Sequence, residues 1–137
     1  DILSLNGLTG FENSLAFHEN GSTSTKAVCI AKDKNKIIGV AGAAESSING
    51  VWEIGIDVME EYRNARLGTY LVKRLTKELL ARNIIPFYSA SVTNIGSQMV
   101  ASRCSYIPFW VDTFGTILDG SSIYNDMTKD LSSKFTG

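Results

Sequence analysis

The sequence holds one histidine and two cysteines in 137 residues, and each scarcity closes off a chemistry. With His18 alone, a multi-histidine zinc site cannot form, and a Ser-His-Asp triad would have to recruit that one residue. Cys29 and Cys104 are too few for a disulfide framework and lack metal-ligand spacing, so no metal is expected. No apolar run approaches the roughly 18 residues of a membrane span, and no basic start followed by an apolar stretch marks a secretory leader. Thirteen Lys and Arg against fourteen Asp and Glu give a net charge of −1. That leaves no positive excess for coating nucleic acid or holding an anionic membrane. The expectation is a cytoplasmic protein with neither nucleic acid nor membrane as partner.

What is present is ordinary globular material. A composition 44% hydrophobic and 20% charged suits a single domain over residues 1–137, and a chain of this length buries roughly two-thirds of its extended surface on folding. The first residue is Asp1 rather than Met, which raises the expectation of a C-terminal fragment of a longer protein.

Thr9-Gly10-Phe11-Glu12 reads as a capping box opening a short helix to about Glu19, stopped by Asn20-Gly21. After the polar stretch Ser22–Lys26 come three strand-like segments, Ala27–Ala31, Ile37–Ala44 and Val51–Met59. A charged tip at 32–36 joins the first two, and Asn49-Gly50 supplies a hairpin turn before the third. Leu67, Leu71, Leu75 and Leu79 then recur every four residues, with Val72 and Leu80 beside them and Arg66, Lys73, Arg74, Lys77 and Arg82 on the remaining surface. This is an amphipathic helix of about four turns. Pro86 stops it, Phe87–Val92 reads as a buried strand, and Asn94 suits the N-cap of a helix over Ile95–Cys104. Pro108 opens a last strand, Phe109–Ile117, and 119–137 is a weakly structured tail. The fold class expected is α/β (α+β): a mixed, mostly antiparallel central sheet with helices on its faces. The crossover over 60–86 makes the third and fourth strands parallel neighbours.

The segment that carries chemistry is Glu60-Glu61-Tyr62-Arg63-Asn64-Ala65-Arg66-Leu67-Gly68-Thr69. A strand that ends in a short loop opening a helix presents unpaired N–H groups and the positive end of the helix dipole, a site suited to phosphate. Residues 60–82 hold six basic and three acidic side chains; the alternative is that these charges solvate the outer face of the helix. The segment is not a P-loop, because no Gly-Lys-Ser/Thr follows.

Val58-Met59-Glu60-Glu61-Tyr62-Arg63-Asn64-Ala65-Arg66-Leu67-Gly68-Thr69-Tyr70-Leu71 resembles the acetyl-CoA-binding motif of the GNAT superfamily of N-acetyltransferases. Arg63 and Gly68 take the outer positions of that motif, and Arg66 stands where a middle glycine is usual. Pro86-Phe87-Tyr88-Ser89-Ala90-Ser91-Val92-Thr93-Asn94 resembles the family's next strand and helix start. Together with Trp52-Glu53-Ile54-Gly55-Ile56-Asp57-Val58 and Phe11-Glu12-Asn13-Ser14-Leu15, the likeness covers roughly 11–115. It points to a bacterial subgroup whose domain of this kind is C-terminal. Family members carry a strand and two helices before the meander; here only about 24 residues precede it, which adds to the expectation of a missing N-terminal part.

The resemblance implies that coenzyme A wedges between the two parallel strands where they splay. The backbone of Arg63, Asn64, Ala65, Arg66, Leu67, Gly68 and Thr69 would cradle the pyrophosphate. The backbone of Asp57–Met59 would pair with the pantetheine, with the N–H of Val58 or Met59 polarising the thioester carbonyl. Asn94, and with it Ser97, would hold the pantetheine from the other side. At position 66 two outcomes stay open: the side chain crowds the diphosphate, or its guanidinium binds it.

The reaction implied is direct acetyl transfer from acetyl-CoA to an amine of a small molecule or peptide. The ammonium must first lose a proton. Glu53 and Asp57 are the candidate bases, with Glu53 ahead and Glu45 third. Side-chain alternation puts Glu53, Gly55 and Asp57 on one face of their strand, with Gly55 read as a bulge; the alternative is an ordinary solvent face. The family's usual acid, a Tyr seven residues after the Asn, is Ala101 here. Tyr88, Ser97 and Tyr106 lie near in sequence, with nothing to choose among them. A non-catalytic acyl-CoA-binding regulatory module is the alternative function. Cys29 and Cys104 read as small buried hydrophobes, His18 as a surface or capping residue, and Trp52, Tyr88, Phe109, Trp110 and Phe114 as core or pocket aromatics. Oligomeric state is left open.

Overall fold

A computed structural model describes residues 1–109, and of Asn64 the main chain only. The chain groups into two units, Asp1–Ile107 and Pro108–Gly137, and the elements and site below belong to the first. The strand expected over 109–117 and the tail over 119–137 fall almost wholly outside the described residues.

Three antiparallel strands form the meander: β1 (Thr25–Asp33), β2 (Lys36–Glu45) and β3 (Val51–Val58). A 3₁₀ turn over Glu60–Ala65 leads into α1 (Leu67–Ala81), followed by β4 (Ile85–Tyr88) and α2 (Ile95–Arg103). The sheet order is β1-β2-β3-β4, antiparallel except for the parallel pair β3–β4. The expected crossover and mixed sheet are therefore present.

One face of the sheet packs on α1. Leu71, Val72, Leu75 and Leu79 are all but inaccessible and close on Ala27, Ala41, Ala43 and Ile54, the four-residue leucine spacing having put them on one stripe. The alanines let the helix lie close. The other face carries Val40, flanked by Val28, Ile30 and Ile37, and is covered by Leu5, Phe11 and Leu15 from the N-terminal segment.

That segment corrects the sequence reading. A 3₁₀ turn occupies Ile2–Leu5, but 9–19 forms turns and not a helix. One helical bond survives, from Leu15 N–H to the Phe11 carbonyl at 2.9 Å. Ser14 N–H instead goes to the Asp57 carboxylate at 2.7 Å and Ala16 N–H to Thr25 Oγ1 at 2.9 Å. The sheet takes the donors a helix would have used. Glu12 accepts from Gly10 N–H at 2.8 Å, which holds its carboxyl below the ordinary value and closes a turn where the capping box was expected.

β4 is also displaced: it spans Ile85–Tyr88, not 87–92, and takes in Pro86. It is the end strand of the sheet as described, where a proline's missing N–H costs no ladder bond. Gly55 is no bulge, because β2 and β3 pair without a register break from Gly39↔Val58 to Glu45↔Trp52.

Candidate functional site

The strand β4 pairs with β3 only from Val51↔Ile85 to Ile54↔Tyr88. β3 runs on through Gly55–Val58, and no strand among the described residues pairs with that edge. The gap opens into a cleft of about 1140 Å³, lined by β3, the 63–69 loop and helix start, Tyr88–Ser91, the first turns of α2 and residues 12–16.

Main-chain register decides what β3 offers the gap. Met59 N–H donates to the Ile38 carbonyl at 2.9 Å, so Asp57, Gly55 and Glu53, two, four and six residues back, exchange their bonds with β2. Val58 and Ile56 turn theirs to the cleft. Arg63 Nε donates to the Val58 carbonyl at 3.1 Å, leaving the Val58 N–H and both main-chain groups of Ile56 along the opening.

The loop beyond is anchored. Tyr62 N–H bonds the Met59 carbonyl at 2.8 Å, the Tyr62 hydroxyl donates to Asp33 Oδ2 at 2.7 Å, and Lys36 pairs with Glu61 at 3.7 Å. The two side-chain contacts were not visible in the sequence, since Asp33 and Lys36 belong to a hairpin some thirty residues earlier. Arg66 ends the turn at φ 57°, ψ 19°. This left-handed conformation is the physical reason a glycine suits the position. The Arg66 side chain is exposed, lines the cleft and forms no hydrogen bond among the described residues. No side chain caps α1, no acidic residue lies in its first turn, and the Thr69 hydroxyl is shut from solvent without a partner among the described residues. The dipole, the free N–H groups, two guanidiniums and an orphaned hydroxyl fit a diphosphate.

Across the cleft, Asn94 Oδ1 caps α2 by accepting Ser97 N–H at 3.0 Å, which leaves the Asn94 amide NH₂ to donate. The Tyr88 hydroxyl donates to Ser97 Oγ at 3.3 Å. Tyr106 packs against Tyr88 with ring centres 5.6 Å apart and planes tilted by 48°, and its hydroxyl shares a hydrogen bond with Thr76 Oγ1 at 2.7 Å. Burial pushes both phenols up, partly offset by those hydrogen bonds. Burial also raises the thiols of Cys29 and Cys104, which keeps both in the unreactive protonated form.

The two candidate carboxylates sit differently. Glu53 is exposed, lines the cleft and accepts a hydrogen bond from the Ser89 hydroxyl. Asp57 is half-buried and already has three donors: Asn13 Nδ2 at 2.7 Å on one oxygen, and Ser14 N–H at 2.7 Å and Ser14 Oγ at 2.8 Å on the other. Glu45, opposite Trp52 at the far end of β2, does not line the cleft. Glu12, Glu53 and Asp57 are the acidic residues along the cleft and Arg63, Arg66 and Arg103 the basic ones, giving carboxylates from the strand and N-terminal segment and guanidiniums from the loop and helices. Among the described residues no group of three His, Cys, Asp or Glu is placed to hold a metal, and no helix is long and apolar enough to cross a membrane.

Comparison with known proteins agrees with this geometry. The model of the acetyltransferase (GNAT) family matches residues 8–106. Aminoglycoside N-acetyltransferase AAC(6')-Iy in complex with CoA aligns with TM-score 0.55 at 20% identity, over 66% of this chain and 66% of that one. An aminoglycoside acetyltransferase from an uncultured soil metagenomic sample, in complex with sisomicin, aligns at 0.55 and 15%, over 66% and 64%. A ribosomal-protein-alanine N-acetyltransferase from Brucella melitensis aligns at 0.50 and 18%, over 55% and 49%. At these identities the likeness is one of fold, and the chain spans about two thirds or less of the length of these structures. No curated protein matches the sequence.

Proposed function

The chain belongs to the acetyltransferase (GNAT) family, and from that premise we propose that it moves an acetyl group from acetyl-CoA directly to an amine of a small molecule or peptide. The observation that carries the reading is the parting of β3 from β4 beyond Ile54↔Tyr88, above the uncapped start of α1. Acetyl-CoA supplies an activated acyl group: the amine nitrogen bonds to the acyl carbon, the C–S bond breaks, the ammonium loses a proton and the thiolate gains one.

The residues divide that work. The N–H groups of Leu67, Gly68 and Thr69 at the uncapped start of α1, with the Arg63 and Arg66 guanidiniums and the Thr69 hydroxyl, hold the diphosphate, the N–H groups of 63–65 being taken up within the 3₁₀ turn. The main chain of Ile56 and Val58 continues the sheet onto the pantetheine. Because Met59 N–H is already bound to Ile38, Val58 N–H is the donor that polarises the thioester carbonyl. The Asn94 amide donates to the pantetheine from α2. Glu53 takes the amine proton, directly or through one water. Ala101 leaves the usual acid missing, and we assign its role to Tyr88, the tyrosine of this pair that lines the cleft, which gives the thiolate its proton.

The test is binding and turnover together. Acetyl-CoA at a hundred times its dissociation constant should stabilise the protein by about 2.7 kcal/mol, read as a rise in Tm, and thiol should be released when an amine panel is added. No stabilisation at millimolar acetyl-CoA would overturn the reading. Stabilisation without thiol release from any amine would favour a non-catalytic acyl-CoA-binding module.

Arg66→Gly tests the helix mouth. Relief of the left-handed residue is worth about 1 kcal/mol, offset in part by the looser unfolded chain, so stability should hold or rise slightly. Loss of a charge-assisted contact should raise the acetyl-CoA Kd about tenfold. A lower Kd would show instead that the side chain crowds the diphosphate.

A further inference from the structure

We propose that Asp57 is a positioning residue for the amine acceptor: its carboxylate pins Asn13 and Ser14 across the sheet and so fixes the wall of the cleft that the acceptor meets. The proposal rests on the acetyltransferase reading for its kinetic part but not for its structural part.

Three observations carry it. First, both carboxylate oxygens are engaged by one short segment distant in sequence, through Asn13 Nδ2, Ser14 N–H and Ser14 Oγ. The Ser14 hydroxyl has one proton to donate, and its oxygen lies nearer Asp57 Oδ2, at 2.8 Å, than the Phe11 carbonyl, at 3.2 Å. Second, the sheet is shaped to receive that segment. Gly42 and Gly55 face each other across β2 and β3, and a Cβ on either would fall 1.7 Å from the Ser14 carbonyl oxygen or 1.8 Å from that of Asn13. The main chain at 13–14 therefore rests on bare backbone, and Ser14 is 3% exposed. Third, Glu12, Asn13, Ser14 and Ala16 line the same cleft as Glu53 and Val58.

A segment that is not a helix has no ladder of its own to hold its shape. Phe11 and Leu15 bury it against Val40, and its polar hold on the sheet comes from Asp57 at one end and, at the other, from Ala16, whose N–H goes to Thr25 Oγ1 and whose carbonyl accepts Ser24 N–H and the Thr23 hydroxyl. The glycine pair sets how close the wall can come, and Asp57 keeps it there. An oxygen already accepting two hydrogen bonds, beside one accepting a third, is poorly placed to take a proton from an amine. Asp57 therefore acts through residues 13 and 14, on where the acceptor sits, while Glu53 meets the reacting nitrogen.

The experiment uses the full chain with Asp57→Asn and Ser14→Ala, singly and together, and Asn13→Ala as a milder variant that removes one bond of three. Amide hydrogen exchange over residues 11–17 should quicken about tenfold or more in Asp57→Asn, in proportion to the bonds lost. The KM for the amine should rise about tenfold for the same loss. The acetyl-CoA Kd and the pH profile of kcat should stay as in the parent protein, and the double variant should be no worse than Asp57→Asn alone. Unchanged exchange at 11–17 in all variants would overturn the clamp whatever the activity. Collapse of kcat with loss of the acidic limb of its pH profile would make Asp57 a base instead, and faster exchange with unchanged KM would remove the wall from the acceptor. Absence of turnover in the parent protein would sink the enzymatic reading and leave the exchange result standing on its own.

Discussion

Replacing Glu53 with Gln is expected to slow acetyl transfer by about 10²- to 10⁴-fold, the range in which a positioned general base acts. The acetyl-CoA dissociation constant should stay within about twofold of the parent value. Gln has the same shape and keeps an oxygen for the Ser89 hydroxyl that now bonds Glu53, so the cleft wall survives and only the proton acceptor is lost. The expected pH dependence follows from the amine. An alkyl ammonium with a pKa near 10 is almost wholly protonated at pH 7, and its free-base fraction grows about tenfold per pH unit below that value. The deficit of Glu53→Gln should therefore shrink as the pH rises toward 10, where the substrate arrives already deprotonated. Initial rates of thiol release from pH 6 to 10, at saturating acetyl-CoA, make the measurement. An equal rate at pH 7 would clear Glu53 of the role and leave solvent as the proton acceptor.

The parts of the molecule that sequence disclosed are those decided by neighbours along the chain. Leucines four apart put Leu71, Leu75 and Leu79 on one stripe of α1. Asn49-Gly50 turned the chain between β2 and β3, with Gly50 at φ 77°. A strand running straight into a helix announced the 60–69 loop. The parts that sequence hid depend on partners far away. Thr9–Glu19 has a capping pattern, yet its donors are taken by Asp57 and Thr25, and no local propensity records that competition. The pattern places the strand after Pro86, at 87–92, because it does not show β4 to be an end strand that can take a proline. The pairing of Glu53 and Asp57 on one face was readable from alternation, but their difference was not: one meets Ser89, 36 residues on, and the other a segment 43 and 44 residues back. Gly55 was noticed for the wrong property. Its value lies in the missing Cβ and not in an irregular strand.

That missing Cβ gives Gly55→Ala a large expected effect on folding. The added carbon would lie 1.8 Å from the Asn13 carbonyl oxygen and 2.6 Å from its carbonyl carbon. Both are main-chain atoms, with no rotamer to turn away. The segment would have to lift by well over an ångström, and the lift breaks more than the contact itself. The bonds from Asn13 and Ser14 to Asp57, 2.7–2.8 Å now, stretch together, and the cover of Phe11 and Leu15 over Val40 loosens with them. Overpacking alone costs about 1–3 kcal/mol and each lost hydrogen bond about 1 kcal/mol. The sum, roughly 4–6 kcal/mol, takes much of the 5–15 kcal/mol that holds a typical domain together. Gly68→Ala is the internal control. Its Cβ would meet Ile56, Val58 and Val100 at 3.6–3.8 Å, ordinary contact distances, and in a helix the exchange gains about 0.5–1 kcal/mol. Urea midpoints for the two variants should thus move in opposite directions. If Gly55→Ala were as stable as Gly68→Ala, residues 13 and 14 would not lie on β3, and the wall that Asp57 holds would not exist.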